Sequence, residues 1–159
     1  LIREPSGNDP QVLRLLVEYY TALQFPNFER AQIYARELEA FAARDTKVKF
    51  ELAKFYVAWS TAVKMKRDLD PLKELQRWQK YKELADLAIK LLKDVSQRTH
   101  EWHFLMAQSC YNKWDYVPAL RHIEKAIEGR PHSAGPYQRF RSEILKKKAQ
   151  FGRAAYAGA

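Results

Sequence analysis

The residues best able to do chemistry cluster between His100 and His122. His100 and His103 lie three apart, about one helical turn, with Glu101 between them. Cys110 and His122 are the nearest further donors. A zinc site needs three or four ligands in fixed geometry, and this set does not supply a recognisable one. No Cys-x-x-Cys, HExxH, GxGxxG or Walker loop occurs in the chain. Cys110 is the only cysteine, so it forms no internal disulfide. A nucleophilic thiol wants a basic, exposed setting, whereas Cys110 falls on a helix among apolar neighbours. Acidic residues alternate with lysines, as Glu83 and Asp86 do beside Lys80, Lys82 and Lys90. That is the patterning of a solvated helix face. No catalytic residue, no metal and no cofactor is expected.

The elements that carry these residues read as helices. The 159 residues hold five glycines and long runs of Leu, Ala, Glu, Lys and Arg, a composition that favours helix over sheet. Apolar residues make up 47% and aromatics 13%, enough for a proper core. No run of 18 apolar residues occurs, so no membrane-spanning helix is expected. The net charge of +9 favours an acidic partner. The chain starts at Leu1 rather than Met and reads as a fragment or processed form. The expected setting is intracellular, either cytoplasmic or organellar, mitochondria included. Oligomeric state is left open.

Helical spacing and breakers predict seven helices. Residues 1–9 read as an N-terminal arm. The first helix spans 10–24, with Leu13, Leu16, Val17, Tyr20 and Leu23 as its apolar stripe, and Phe25-Pro26-Asn27 breaks it. The second spans 28–43. Asp45 or Thr46 caps a third, which continues to Arg67, and Asp70-Pro71 is a strong start signal for a fourth, to Val95. Two short helices joined by a tight turn fill 100–133. Met106, Ala107, Tyr111, Tyr116, Ala119, Ile123, Ala126 and Pro131 mark the face that must be small or apolar. A last helix spans 134–151, and 152–159 reads as a loose tail.

The spacing over 100–133 resembles the tetratricopeptide repeat, a helix–turn–helix unit of about 34 residues. Ala85 precedes Ala119 by 34 residues, and Ala31 precedes Ala85 by 54, which leaves 20 as an insertion. The repeats are then about 12–45, 46–99 with the insertion, and 100–133, with 134–151 as a capping helix. The fold class this implies is all-α: a TPR-like α-solenoid of about seven antiparallel helices, with an elongated middle hairpin and a C-terminal cap. The inserted residues read as helix on both sides of their turn. The hairpin is therefore expected to project about 15 Å, zipped by Trp59, Val63, Met65, Leu72, Leu75 and Trp78.

The resemblance implies a concave groove lined by the first helix of each repeat. Here the groove residues would be Leu16, Tyr20, Lys47, Phe50, Lys54, Phe104, Gln108, Tyr111 and Asn112. Lys47 and Lys54 are the only cations in that row, and Phe50 and Phe104 replace polar positions, which argues against the carboxylate clamp of chaperone adaptors. An apolar or amphipathic peptide or helix fits better. Lys64, Lys66, Arg67, Lys73, Arg77 and Lys80 would coat the hairpin and meet an acidic surface. The function implied is a non-catalytic interaction module or scaffold subunit of a larger assembly. The alternative is a basic structural subunit of a ribonucleoprotein that contacts RNA phosphates.

Overall fold

The computed structural model describes residues 9–157. Among them the chain forms seven α-helices and one short 3-10 turn, with no strand. The expected arm, apart from Asp9, and the last two residues of the expected tail lie outside the described residues. Helix α1 is Pro10–Ala22, α2 Phe28–Ala42, α3 Thr46–Met65, α4 Pro71–Lys93, α5 His100–Asn112, α6 Tyr116–Gly129 and α7 Gly135–Ala157. Helix α7 thus runs on past Phe151, where a loose tail was expected; Gly152 is tolerated inside it. No described helix is long and apolar enough to cross a membrane.

Local chemistry sets the helix starts. A helix opens with backbone N–H groups that lack partners, and short polar side chains supply them. Asp9 accepts from Gln11 N, Asn27 from Arg30 N, Asp45 from Lys47 N, Asp70 from Leu72 N and Thr99 from Trp102 N. Pro10 and Pro71 occupy first-turn positions, where the missing N–H costs nothing.

Consecutive helices pair, and α1 also packs on α3, as α3 does on α5. The α3–α4 pair is antiparallel. Arg77 meets the carbonyls of Val63 and Lys64 near the turn, Lys80 lies over Trp59, and Ser60 reaches Tyr81 further in. Close approach needs small side chains. Ala31, Ala53, Ala85, Ala107, Ala119 and Ala126 all have 0% exposure. At the end of α6, Gly129 meets the start of α5 so closely that a Cβ there would lie 3.1 Å from His100 Cβ. Larger residues fill the space on either side: Leu13, Leu38, Leu52 and Leu92 in one cluster, Ile123 and Ile144 in another.

Two polar devices hold this interior. Trp102 is buried, and its indole N–H donates to Leu92 O at 2.8 Å, tying α5 to the end of α4. Ser60 donates to Tyr81 O at 2.7 Å and accepts from Asn112 Nδ2 at 3.1 Å. Asn112 also donates to Thr61 at 3.3 Å. One buried amide thereby joins α3, α4 and α5 at the level where α5 ends.

The middle hairpin is longer than its neighbours: α3 and α4 have 20 and 23 residues, against 13 in α5 and 14 in α6. Past Ser60, level with the end of α5, α3 continues for five residues to Met65, about 8 Å of rise. That is about half the expected projection. The expected zip also stops early. Trp59 is buried and Val63 half-buried, but Met65, Leu72, Leu75 and Trp78 are exposed. Two isolated helices offer too little facing surface to bury them. Polar contacts hold the tip instead: Arg77 donates to Val63 O and Lys64 O and pairs with Glu74, which also accepts from Trp78 Nε1 and Asp68 N.

Replacing Asn112 with leucine removes the buried amide and leaves two hydroxyl groups short of a partner. The expected loss is about 2 kcal/mol of unfolding free energy, read from urea midpoints. Asn112→Leu should lose more stability than Gln108→Leu one turn away, where the side chain is only half-buried.

Candidate functional site

The expected groove residues separate into three places. Lys47, Phe50 and Lys54 stay together on an open face. Lys47 and Phe50 line a cavity of about 270 Å³ between α1, the start of α3 and the α4–α5 loop. Lys54 lines a neighbouring cleft of about 200 Å³ between α1 and α3. Val17, Leu38 and Phe55 give that cleft an apolar floor, and Arg14, Glu18, Glu51 and Lys54 ring it with charge. Arg14 and Glu51 face each other across it at 3.8 Å. Leu16 is half-buried on α1 and lines neither cavity.

The other residues point elsewhere. Tyr20 turns toward α2 and stacks on Tyr34, with ring centroids 5.8 Å apart and planes 10° from parallel. Phe104 lies under α7, against Tyr137 at 4.8 Å and Phe140 at 5.8 Å. Tyr111 is buried, packs on Phe140, and donates its hydroxyl to Glu143 at 3.0 Å. Burial and that hydrogen bond together push its pKa up. Asn112 is the buried amide already described, and Gln108 is half-buried on α5. The physical reason is α7: it lays its aromatic side on α5 and covers the third part of the groove.

The basic residues divide likewise. Lys66, Arg67, Lys73 and Lys80 are exposed. Arg77 is spent on Glu74 and two carbonyls, and Glu74 is held down to about 2, first by its bond to Arg77. Lys64 is half-buried with its ammonium 3.8 Å from the Tyr111 ring centre. Burial lowers its pKa to about 8, against the opposing pull of Glu143. On the α1–α2 side of the hairpin, Lys66, Lys73 and Lys80 converge on a notch of about 440 Å³. Phe28 and Trp59 form part of its wall, stacked with centroids 6.0 Å apart.

The histidines do not assemble a metal shell. His103 and His122 face each other, Nδ1 to Nδ1, at 3.1 Å. His100 pairs with the Tyr137 hydroxyl at 2.8 Å. Among the described residues no three His, Cys, Asp or Glu side chains converge on a metal-sized space. Cys110 is buried, and burial pushes its thiol up to about 11, opposite to the shift a nucleophile needs.

Several lining residues escaped the sequence reading. Arg14, Glu18 and Phe55 belong to the α1–α3 cleft, and only the alternation of charge around Val17 hinted at the first two. Trp114 was also missed. It is the one described non-glycine residue with positive φ, at 65°. Asp115 N donates to Cys110 O at 2.9 Å and Trp114 N to Tyr111 O at 3.0 Å. That is the bonding of a Schellman helix end, with a tryptophan where glycine is usual. A large aromatic in the turn Lys113-Trp114-Asp115 was the available signal.

Comparison with protein families, curated proteins and solved structures finds no match to this chain. The site is therefore read from its own geometry.

Two measurements follow from these groups. Trp114→Gly and Trp114→Ala both remove the ring, but only glycine relieves the left-handed backbone. The glycine variant should be the more stable by about 1 kcal/mol in urea unfolding. Burial lowers His103 and His122, the latter from 6.5 to about 4. The unfolded chain therefore takes up protons before the folded one does. Stability should be full above pH 6.5 and decline as the pH falls toward 4. His122→Gln, which keeps a polar partner for His103 and does not titrate, should shrink the loss between pH 7 and pH 5 in the same unfolding assay.

Proposed function

We propose that the chain is a non-catalytic scaffold of the tetratricopeptide-like kind that holds a peptide or helix of a partner protein. Three features support a solenoid reading: pairing of consecutive helices, contact of α1 with α3 and of α3 with α5, and α7 lying over the last pair. The observation that carries the binding proposal is the α1–α3 face. Its floor is apolar and open, its rim holds cations and carboxylates, and α7 does not reach it. Such a surface takes an amphipathic segment: apolar side chains enter over Val17, Phe50 and Phe55, and an acidic residue meets Lys47 or Lys54.

A random-peptide display selection against the intact chain tests this. Enriched peptides should combine apolar and acidic residues and should lose roughly tenfold in affinity on Phe50→Ala or on Lys47→Glu with Lys54→Glu. Enriched peptides indifferent to all three substitutions would place binding elsewhere.

A second reading rests on the basic notch. Lys66, Lys73 and Lys80 converge beside Trp59 and Phe28, an arrangement able to hold a phosphate of RNA. It requires affinity for a short RNA that falls steeply with salt and is lost when the three lysines become glutamate.

A further inference from the structure

A second groove opens on the other side of the hairpin. The end of α3–α4, the α5–α6 turn and the far part of α7 enclose about 590 Å³, the size range of specific binding sites. Its walls are largely aromatic: Trp78, Tyr81, Trp114, Tyr116 and Phe151. Trp78, Trp114 and Phe151 keep 43%, 39% and 65% of their surface exposed. Burying three such side chains on binding would supply a large apolar driving force.

The backbone gives a second, independent observation. A left-handed conformation costs a β-carbon-bearing residue roughly 1–2 kcal/mol. Glycine at the same helix end would avoid it. Trp114 recovers part of that cost through edge-on contacts with Trp78 at 5.7 Å and Tyr81 at 5.9 Å. Yet more than a third of the residue remains in solvent. The turn holds an indole at the mouth of the groove rather than sinking it into the core.

Charge and ring geometry select the occupant. The acids around the groove are already engaged: Glu74 by Arg77 and Trp78, Glu143 by the Tyr111 hydroxyl. Arg67 lines the groove with no carboxylate in ion-pair range among the described residues. Lys147 of α7 adds a further positive charge near Lys64. The field inside is positive, which disfavours a cationic ligand despite the aromatic walls. Single-stranded nucleic acid fits less well than peptide. Successive bases want parallel ring faces and a row of free cations, whereas Trp114 stands at 81° to Trp78 and 86° to Tyr81. Rings in edge-to-face contact offer no ladder of parallel faces for stacked bases, but their exposed surfaces form an apolar wall on which side chains can pack. We propose that this groove takes an acidic segment of a partner protein, which lays apolar or aromatic side chains against the exposed surfaces of Trp78, Trp114 and Phe151 and sets a carboxylate against Arg67.

Tryptophan fluorescence reads the site directly. Trp59 and Trp102 are buried, so quenching by acrylamide reports Trp78 and Trp114. The probes are a synthetic amphipathic peptide of about four helical turns with Leu and Phe on one face and Glu elsewhere, its Lys-for-Glu counterpart, and decauridylate. The acidic peptide should protect the tryptophans, and its affinity should fall roughly tenfold in Arg67→Glu and in Trp114→Gly. Trp114→Gly suits the turn and Arg67 is on the surface, so both variants should melt cooperatively. Lys47→Glu with Lys54→Glu, in the α1–α3 cleft, should leave this binding unchanged, which separates it from the scaffold reading above. The proposal is overturned if neither peptide protects, if the lysine peptide protects equally, if Arg67→Glu binds as wild type does, or if decauridylate protects more strongly than the acidic peptide.

Discussion

Helix axes can approach closely only where side chains end at Cβ. Ala31, Ala53, Ala85, Ala107, Ala119 and Ala126 are sealed from solvent, and each sits on a helix that packs against its chain neighbour. A larger side chain at any of them would push two helices apart and open voids beside the leucines and isoleucines that fill the adjoining space. Close approach also explains the polar interior. Helices held this near bring a serine hydroxyl within reach of a neighbouring carbonyl, and Ser60 to Tyr81 O is such a contact. Asn112 then completes the hydroxyl's bonding from a third helix. The small residues and the buried amide are one device: the first sets the distance, the second fixes the register.

The length of the middle hairpin sets the surface. Past the level of Asn112 the hairpin meets its neighbours only along one side, where Lys64 lies over Tyr111 and Trp78 touches Trp114. An apolar zip needs an element that excludes water all round, and among the described residues none encloses the tip, so Met65, Leu72 and Leu75 stay exposed. Arg77 solves the problem with polar contacts, which need no enclosure. It donates to carbonyls at the end of α3, where the helix supplies no further N–H donors, and neutralises Glu74. Because the hairpin stands beyond the turns on either side, it leaves a notch on each. One is basic, with Lys66, Lys73 and Lys80; the other is aromatic.

Much of the helix inventory was legible in the sequence because its signals are local. Asp9-Pro10, Asp45 and Asp70-Pro71 announce helix starts by chemistry that acts within one turn, and the recurring alanines mark buried faces. The all-α class follows from these. That Lys47, Phe50 and Lys54 share one face was legible because a single helix decides it. Tyr20, Phe104 and Tyr111 carry the same helical phase as groove residues, but whether such a face is open depends on what packs across it. Tyr34 of α2 claims Tyr20, and α7 claims Phe104 and Tyr111. Lys64 and Arg77 are likewise indistinguishable in sequence from solvated cations. Glu74, three residues before Arg77 on the same helix, could be read as its partner, but the stacking of Lys64 on Tyr111 and the reach of Arg77 to the Val63 and Lys64 carbonyls become visible only when separate helices are placed together.

The placement of α7 decides which ends of the molecule remain available. By laying Tyr137, Phe140 and Ile144 over α5 and α6, it buries apolar surface that this last pair would otherwise expose. In doing so it closes the inner face at one end and leaves it open between α1 and α3. The same helix, continued to Phe151, supplies a wall for the aromatic groove. Phe151 stands about two turns beyond Ile144, past the part of α7 that covers the core, and stays exposed. Phe151 extends the line of Tyr116 and Trp114 along this wall and packs on the Tyr116 ring at 6.2 Å, so the end of α7 is tied to the start of α6 while most of the phenylalanine stays exposed.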